Sequence, residues 1–284
     1  MSQSVATTCE RIFRDETLDA YQRGVERAIK VMHERLGDEL SIDDLAHAAF
    51  MSRYHFTRVF SMITGVSPGR FLTAIRMQEA KRLLLKTERS VTDISLDVGY
   101  NSLGTFTRIF ADFVGFPPVR FRQFSRLLLR LPVDEVTRHL PLNRTLPDEV
   151  SISGEVLGDN RIVLVTVAVF PSAIPRSHPI ECVCLTVSRR FSISRTPPYG
   201  ARIFAAGLLP TATMEDAILV SHEHVPVGKV HPPKHFTRDT ILIELSPRRA
   251  VEPPVVVAFP LLIAELLMNQ VVSTPGEAPT NTLG

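Results

Sequence analysis

Apolar residues return every three or four positions through the first 126 residues of this chain, and every second position after about residue 150. In 17–36, Leu18, Tyr21, Val25, Ala28, Ile29, Met32 and Leu36 alternate with charges, which predicts an amphipathic helix ending at Gly37. Ile42, Leu45, Ala46 and Ala49 predict a second, short helix. After a turn, Ser52 is of N-cap type and opens a third helix, with Phe56, Val59 and Phe60 forming one buried stripe. Ser67-Pro68 starts a longer helix with Phe71, Leu72, Ile75, Ala80, Leu83 and Leu84 inside, and Arg70, Arg76, Gln78, Lys81 and Arg82 outside. The short-helix pattern then returns with Val91, Ile94 and Val98, followed by Ser102 ahead of Phe106, Ile109 and Phe110.

This return is a repeat. Ser52, Phe56, Thr57, Arg58, Phe60, Gly65, Pro68, Arg70 and Phe71 recur fifty positions later as Ser102, Phe106, Thr107, Arg108, Phe110, Gly115, Pro118, Arg120 and Phe121. Two copies fall short of the three or more that a solenoid needs, so the pattern describes a paired module. Each copy is two short helices joined by a turn, with Thr57-Arg58 or Thr107-Arg108 lying off the apolar stripe. That is the pattern of a helix-turn-helix whose second helix can enter a major groove.

The stretch 36–126 resembles the DNA-binding region of the AraC/XylS family of transcriptional regulators. The resemblance is carried by Ser41-Ile42-Asp43-Asp44-Leu45-Ala46, Ser52-Arg53-Tyr54-His55-Phe56-Thr57-Arg58-Val59-Phe60, the segment 71–85, Gly99-Tyr100-Asn101-Ser102, Phe106-Thr107-Arg108-Ile109-Phe110 and Gly115-Phe116-Pro117-Pro118. It covers roughly a third of the chain, and two such units with matching Gly-x-x-Pro exits are a specific signal. The resemblance implies an all-α double helix-turn-helix (homeodomain-like) fold over 17–126, and a sequence-specific regulator that binds double-stranded DNA. A bridging helix of about 18 residues is roughly 27 Å long. That suits a rod holding two reading heads about one duplex turn, ~34 Å, apart.

By the same resemblance, Arg53, Tyr54, Thr57 and Arg58 are the outward positions of the first recognition helix, and Leu103, Gly104, Thr107 and Arg108 those of the second. Arg58 and Arg108 suit a guanine O6/N7 pair, while Thr57 and Thr107 suit a thymine methyl or a phosphate. Leu103 and Gly104 depart from the polar residues usual in the family and offer no side-chain hydrogen bonds, so the second copy is expected to act mainly as a phosphate clamp. His55 suits either a phosphate contact or partial packing. Phe56, Phe60, Phe106 and Phe110 share a face with Val59 and Ile109 and are assigned to the core.

Beyond 126 the pattern changes. Pro132, Pro141 and Pro147 mark a linker at 127–148. Strand-like runs follow at 150–157, 161–170, 180–188, 190–194, 201–208, 240–245 and 255–259, which predicts an all-β sandwich over 149–272 with a regulatory or ligand-binding role. Ser151-Ile152-Ser153-Gly154-Glu155-Val156 and Pro197-Pro198-Tyr199-Gly200 give it a loose resemblance to prealbumin-like modules of the carboxypeptidase regulatory type. A short helix is expected at 261–268 and a frayed tail at 273–284. A sensor following the DNA-binding part reverses the order commonest in the family the helical half resembles.

Composition changes this picture little. With 284 residues there is room for two domains, each burying its own core. Net charge is +2, but 17–126 carries 16 Lys+Arg against 12 Asp+Glu, whereas 127–284 carries 14 against 15. The basic excess therefore sits with the repeats, in agreement with a nucleic-acid partner. No apolar run reaches the ~18 residues of a spanning helix. The first fourteen residues lack a signal-peptide core, so residence in the cytoplasm without membrane association is expected.

Cys9, Cys182 and Cys184 make neither a disulfide framework nor a zinc set. His222, His224, His231 and His235, with Glu223 and Asp239, lie in a proline-containing stretch without an established metal spacing, so no metal and no cofactor are expected. Gly-x-Ser-x-Gly, phosphate-loop and His-Glu-x-x-His motifs are absent from the sequence, which disfavours an enzyme. Some relatives of this helical region are fused to repair methyltransferases with a reactive cysteine, but Cys182 and Cys184 have no activating neighbour in sequence. RNA polymerase, and a small-molecule or protein effector of the C-terminal domain, stand as further candidate partners. The competing class is a sugar- or peptide-binding sandwich attached to a degenerate helix-turn-helix.

Overall fold

The computed structural model describes residues 2–130, 152–172, 174–176, 178–186, 189–193, 198, 201–220, 225–230, 240–258 and 260–261, with side chains from residue 17 onward. The linker positions 131–148, the four histidines with Glu223 and Asp239, most of the expected C-terminal helix and the tail lie outside the described residues.

Seven helices come first: α1 (Ser2–Glu34), α2 (Ile42–Ala48), α3 (Arg53–Thr64), α4 (Pro68–Lys86), α5 (Val91–Asp97), α6 (Leu103–Val114) and α7 (Pro118–Leu128). α1 runs further toward the N-terminus than expected, because its apolar stripe starts only near residue 18 while the polar turns before it still propagate the backbone hydrogen bonds. Val25, Ala28, Ile29 and Met32, at steps of three, one and three, are its buried face. α2 starts with a capping box in which Ser41 and Asp44 each accept from the other's backbone, at 3.1 and 2.9 Å. α5 reuses the first half of this device, with Ser90 accepting from the Asp93 amide at 3.0 Å.

The C-terminal part holds, among the described residues, β1 (Ile152–Leu157), β2 (Leu164–Phe170), β3 (Glu181–Leu185), β4 (Arg190–Ile193), β5 (Arg202–Leu208), α8 (Met214–Leu219), β6 (Val227–Val230) and β7 (Ile241–Glu244). They form a three-stranded sheet, β4-β1-β7, and a four-stranded sheet, β3-β2-β5-β6. β1 and β7 pair in parallel, and the other ladders are antiparallel. Ile152, Val156, Phe191, Ile193 and Ile243 of the first sheet close against Val165, Val167, Val169, Ile203 and Ala205 of the second, which is a sandwich core built by alternation.

The opposite face of the second sheet is covered too. Ala168, Phe170 and Phe204 point away from the sandwich core and join one continuous apolar cluster with Phe113, Val114 and Phe116 of the helical half. β2 is therefore buried on both faces, which accounts for its apolar residues on both sides, interrupted only by Thr166. The sequence reading gave each part its own core; the structure adds this second core that runs between the parts.

Three local differences from the sequence reading have clear causes. The 255–258 stretch is buried irregular backbone instead of a strand, because its polar groups pair with the helical half: Val256 O accepts from Lys81 Nζ at 2.8 Å, and Ala258 N donates to Val114 O at 3.3 Å. α8 arises from a Thr213–Asp216 capping box too short to show helical periodicity. β6 centres on Gly228, where a Cβ would lie 2.4 Å from the Glu244 carbonyl oxygen, so two backbones approach through a residue that ordinary strand patterns disfavour.

Candidate nucleic-acid interface

The fifty-residue repeat is a repeat in three dimensions. Gly65 and Gly115 end α3 and α6 at φ values of 77° and 96°, the left-handed cap that glycine adopts without a Cβ penalty. Pro68 and Pro118 then open α4 and α7, each in the first turn where its missing N–H costs nothing. Inside, Phe56 meets Phe60 at 5.4 Å between ring centroids, and Phe60 meets Phe71 edge-on at 5.4 Å. Phe106, Phe110 and Phe121 repeat the arrangement at 5.6 Å for each pair. All six of these rings are fully or almost fully inaccessible, as the assignment of Phe56, Phe60, Phe106 and Phe110 to the core requires.

Opposite the buried stripe, Arg53, Tyr54, Thr57 and Arg58 of α3 are exposed, Tyr54 to 82%. Arg53 pairs with Asp43 across the turn at 3.4 Å, and Thr57 Oγ1 donates to Arg53 O at 2.9 Å. On α6, Leu103, Gly104 and Arg108 are exposed, and Thr107 is half-buried. Neither Arg58 nor Arg108 has a hydrogen-bond or ion-pair partner among the described residues, so both guanidiniums keep all their donors for solvent or a ligand. A Cβ at Gly104 would meet only Ser102 Oγ, at 4.0 Å, so nothing in the protein itself requires glycine there. His55 takes the packed alternative, edge-on to Tyr21 with centroids 5.1 Å apart.

These faces stay open with the C-terminal sandwich docked, although its Arg176 pairs with Asp112 near the end of α6 at 2.8 Å.

Arg76, which sequence reasoning placed outside, and Arg122 hold the two units together. Arg76, on α4, donates to Leu36 O at 3.0 Å, Asp38 O at 2.7 Å and Gly99 O at 3.4 Å, and its guanidinium lies 5.7 Å from the Tyr100 ring centre. One side chain thus joins the α1–α2 turn of the first unit to the turn of the second. Arg122, on α7, donates to Leu84 O and Arg89 O at 3.2 and 2.6 Å. No periodic signal could have found these bonds, since their acceptors are backbone oxygens 23 to 40 residues away.

Elsewhere, chemistry is sparse. Cys184 is buried, with its Sγ 3.9 Å from Thr166 Oγ1. The neighbouring Cys184 thiol and burial together push Cys182 well above the usual thiol range, the reverse of activation. Among the described residues no group of three His, Cys, Asp or Glu could hold a metal ion, and no helix is long and apolar enough to cross a membrane.

Comparison with known proteins bears on the helical half. Residues 45–123 match the helix-turn-helix domain family. An uncharacterized helix-turn-helix-type transcriptional regulator of Haemophilus influenzae is 43% identical over 82 residues, which is 29% of this chain and 28% of that protein. The probable transcription factor PqrA of Proteus vulgaris is 33% identical over 84 residues, 30% of this chain and 69% of that protein. The crystal structure of a transcriptional regulator with an AraC-type DNA-binding domain from Chromobacterium violaceum is 26% identical and covers 36% of this chain and 91% of its own, with a TM-score of 0.35. The chain spans between 28% and 39% of the length of four curated relatives it matches. Through its paired helix-turn-helix units, this chain belongs to the AraC/XylS family of helix-turn-helix transcriptional regulators.

Proposed function

We propose that this protein is a sequence-specific, DNA-binding transcriptional regulator that lays α3 and α6 in two successive major grooves of duplex DNA. One observation carries this reading: Arg58 and Arg108 stand at the same phase of two helices with matching buried faces, exposed and without a partner among the described residues. A solvated surface has no reason to repeat that arrangement; two heads performing one task do. Phosphate contacts supply most of the affinity, and base edges supply the specificity. Arg53, Tyr54, Thr57 and Arg58 serve as the more discriminating head. Leu103, Gly104, Thr107 and Arg108 serve as the head that clamps phosphates, with Gly104 allowing close approach to a DNA backbone.

The division into 17–126 for DNA, 127–148 as linker and 149–272 as a non-catalytic regulatory sandwich belongs to the same proposal, as do a cytoplasmic, nucleoid-bound site of action and RNA polymerase as a further partner. Apolar packing between sandwich and α4 supports modulation by contact. Genome-wide DNA capture with the full-length protein, followed by footprinting, tests the proposal. Protection over two adjacent major-groove turns is expected, and equal affinity for captured and random duplexes at physiological salt would sink it.

A further inference from the structure

The two copies of the repeat end their recognition helices differently. α3 closes on itself: Thr64 Oγ1 lies 2.8 Å from Phe60 O and 3.0 Å from Val66 O, and accepts from Val66 N at 3.3 Å. Fifty positions on, α6 carries Val114 in place of that threonine, and Asp112 in place of the exposed Met62. Valine has no hydroxyl to close the turn, and a carboxylate in the last turn of a helix meets carbonyl ends of its own sign. By its own residues the end of α6 is the less secure of the two.

The sandwich supplies what α6 lacks. Arg176, in the loop after β2, pairs with Asp112 at 2.8 Å, and its guanidinium lies 5.7 Å from the Phe113 ring centre. Ala258 N donates to Val114 O at 3.3 Å, which occupies one of the carbonyls that a helix end leaves open. Phe113, Val114 and Phe116 are buried in the same cluster as Ala168, Phe170 and Phe204. The sandwich is in turn fixed to α4: Gln78 Nε2 donates to Leu219 O at 2.6 Å, Lys81 Nζ to Val256 O at 2.8 Å, and Lys86 pairs with Glu215 at 2.6 Å.

α3 receives no such hold. Where the 172–176 loop passes its end, a cavity of about 360 Å³ lies between Ser172 and Arg176 on one side and Ser61, Gly65 and Arg70 on the other. Among the described residues no hydrogen bond or ion pair joins α3 to the sandwich.

We propose that the sandwich positions the second reading head and not the first, with Arg176 and Ala258 holding the end of α6 through Asp112 and Val114. Arg176 is a positioning residue that acts on DNA only through α6. Release of this hold loosens α6, weakens the half-site that α6 reads and spares the half-site of α3. The hold itself does not depend on DNA; its consequence for an operator rests on the DNA-reading proposal.

The test compares the full chain with Asp112→Arg, Arg176→Asp and the double exchange. Backbone hydrogen exchange is read at amides 112–115 of the second unit and at their counterparts 62–65 in the first. Each single exchange should speed the first set roughly three- to tenfold and leave the second set unchanged, and the double exchange should restore both. Affinity is read on a captured duplex and on the same duplex with the half-site of α6 scrambled: a similar loss is expected on the complete duplex only. Unchanged exchange at 112–115, equal acceleration in both units, or equal affinity losses on both duplexes would overturn the proposal. Arg176→Gln gives the same comparison at smaller amplitude where an exchanged variant fails to fold. Absence of specific DNA binding by the unaltered chain removes the DNA-reading proposal, and the exchange pattern then decides this one.

Discussion

Lys81 on the bridging helix α4 donates a 2.8 Å hydrogen bond to the carbonyl oxygen of Val256, 175 residues further along the chain. Both residues are fully buried, and Lys81 has no ion-pair partner among the described residues. Helical phase placed Lys81 on the solvent side of α4, and so it would be if the helical half stood alone. The sandwich takes that ammonium out of water. Packing of Val255, Val256, Val257 and Ala258 beside it offsets the desolvation.

The burial of Lys81 should appear as a pH dependence. Its pKa falls from 10.5 to about 7 on desolvation. Between those values the unfolded chain binds the proton and the folded chain does not, so stability rises with pH across that window. Below about 7 the penalty is fully present. Urea unfolding at several pH values should show this rise in the native chain and a flatter profile in Lys81→Met. The difference between the two profiles cancels the opposing trends of Cys182 and Tyr100, whose pKa values are raised. Identical slopes would refute the assignment.

Arg58→Ala should relax base preference at one operator position and cost about 1–3 kcal/mol of binding, as loss of a bidentate base contact does. Arg108→Ala, beside the apolar Leu103 and the bare Gly104, should weaken binding evenly across sequences and shallow the salt dependence by about one ion. Base-by-base binding profiles check both, and an unchanged profile for Arg58→Ala would remove its role.

Gly99 and Gly104 should respond oppositely to alanine. Gly99 sits at φ 81°, and a Cβ there would lie 2.7 Å from Arg76 Nη2 and 3.1 Å from Gly37 O, so Gly99→Ala strains the turn and displaces the arginine that joins the two units. A loss of about 1–3 kcal/mol in unfolding free energy is expected. Gly104 has open space around it and lies within α6, so Gly104→Ala should gain up to about 1 kcal/mol of stability through helix propensity while weakening DNA affinity. Thermal unfolding of both variants separates the cases; equal destabilisation would contradict the geometry.

Cutting the chain after residue 130 should leave the recognition faces intact but uncover the apolar surface of α4 together with Phe113, Val114 and Phe116. The fragment is expected to bind a hydrophobic dye and to unfold at lower temperature than the full chain. A fragment as stable as the parent, with no dye binding, would show that the shared core contributes nothing.

Much of the helical half was legible before any coordinates. Ser52, Gly65 and Pro68, and Ser102, Gly115 and Pro118, mark helix ends whose physics is local, although only Ser102 of the two serines accepts a capping hydrogen bond, from the Thr105 amide. The stripes of Phe56 and Phe60 and of Phe106 and Phe110 announced the buried faces, and by exclusion they set Thr57-Arg58 and Thr107-Arg108 outside; Arg53, Tyr54, Leu103 and Gly104 came from the family resemblance. The alternation of Val163, Val165, Val167 and Val169 announced the inner face of β2 in the same way, but Val163 precedes the strand and is exposed.

What spacing left out involves partners far along the chain. Lys81 lies inside because 255–258 folds over it; Val256 and Ala258 pair with helices instead of a neighbouring strand; and Arg76 binds carbonyls that no periodicity links to it. The contacts of Arg176 and Ala258 with the end of α6 exist only where two surfaces meet. Periodicity reports which side of an element is apolar, a property of consecutive residues. Which distant surface covers that side, and which polar groups are caught beneath it, follows from how the packed halves satisfy buried area and hydrogen bonds together.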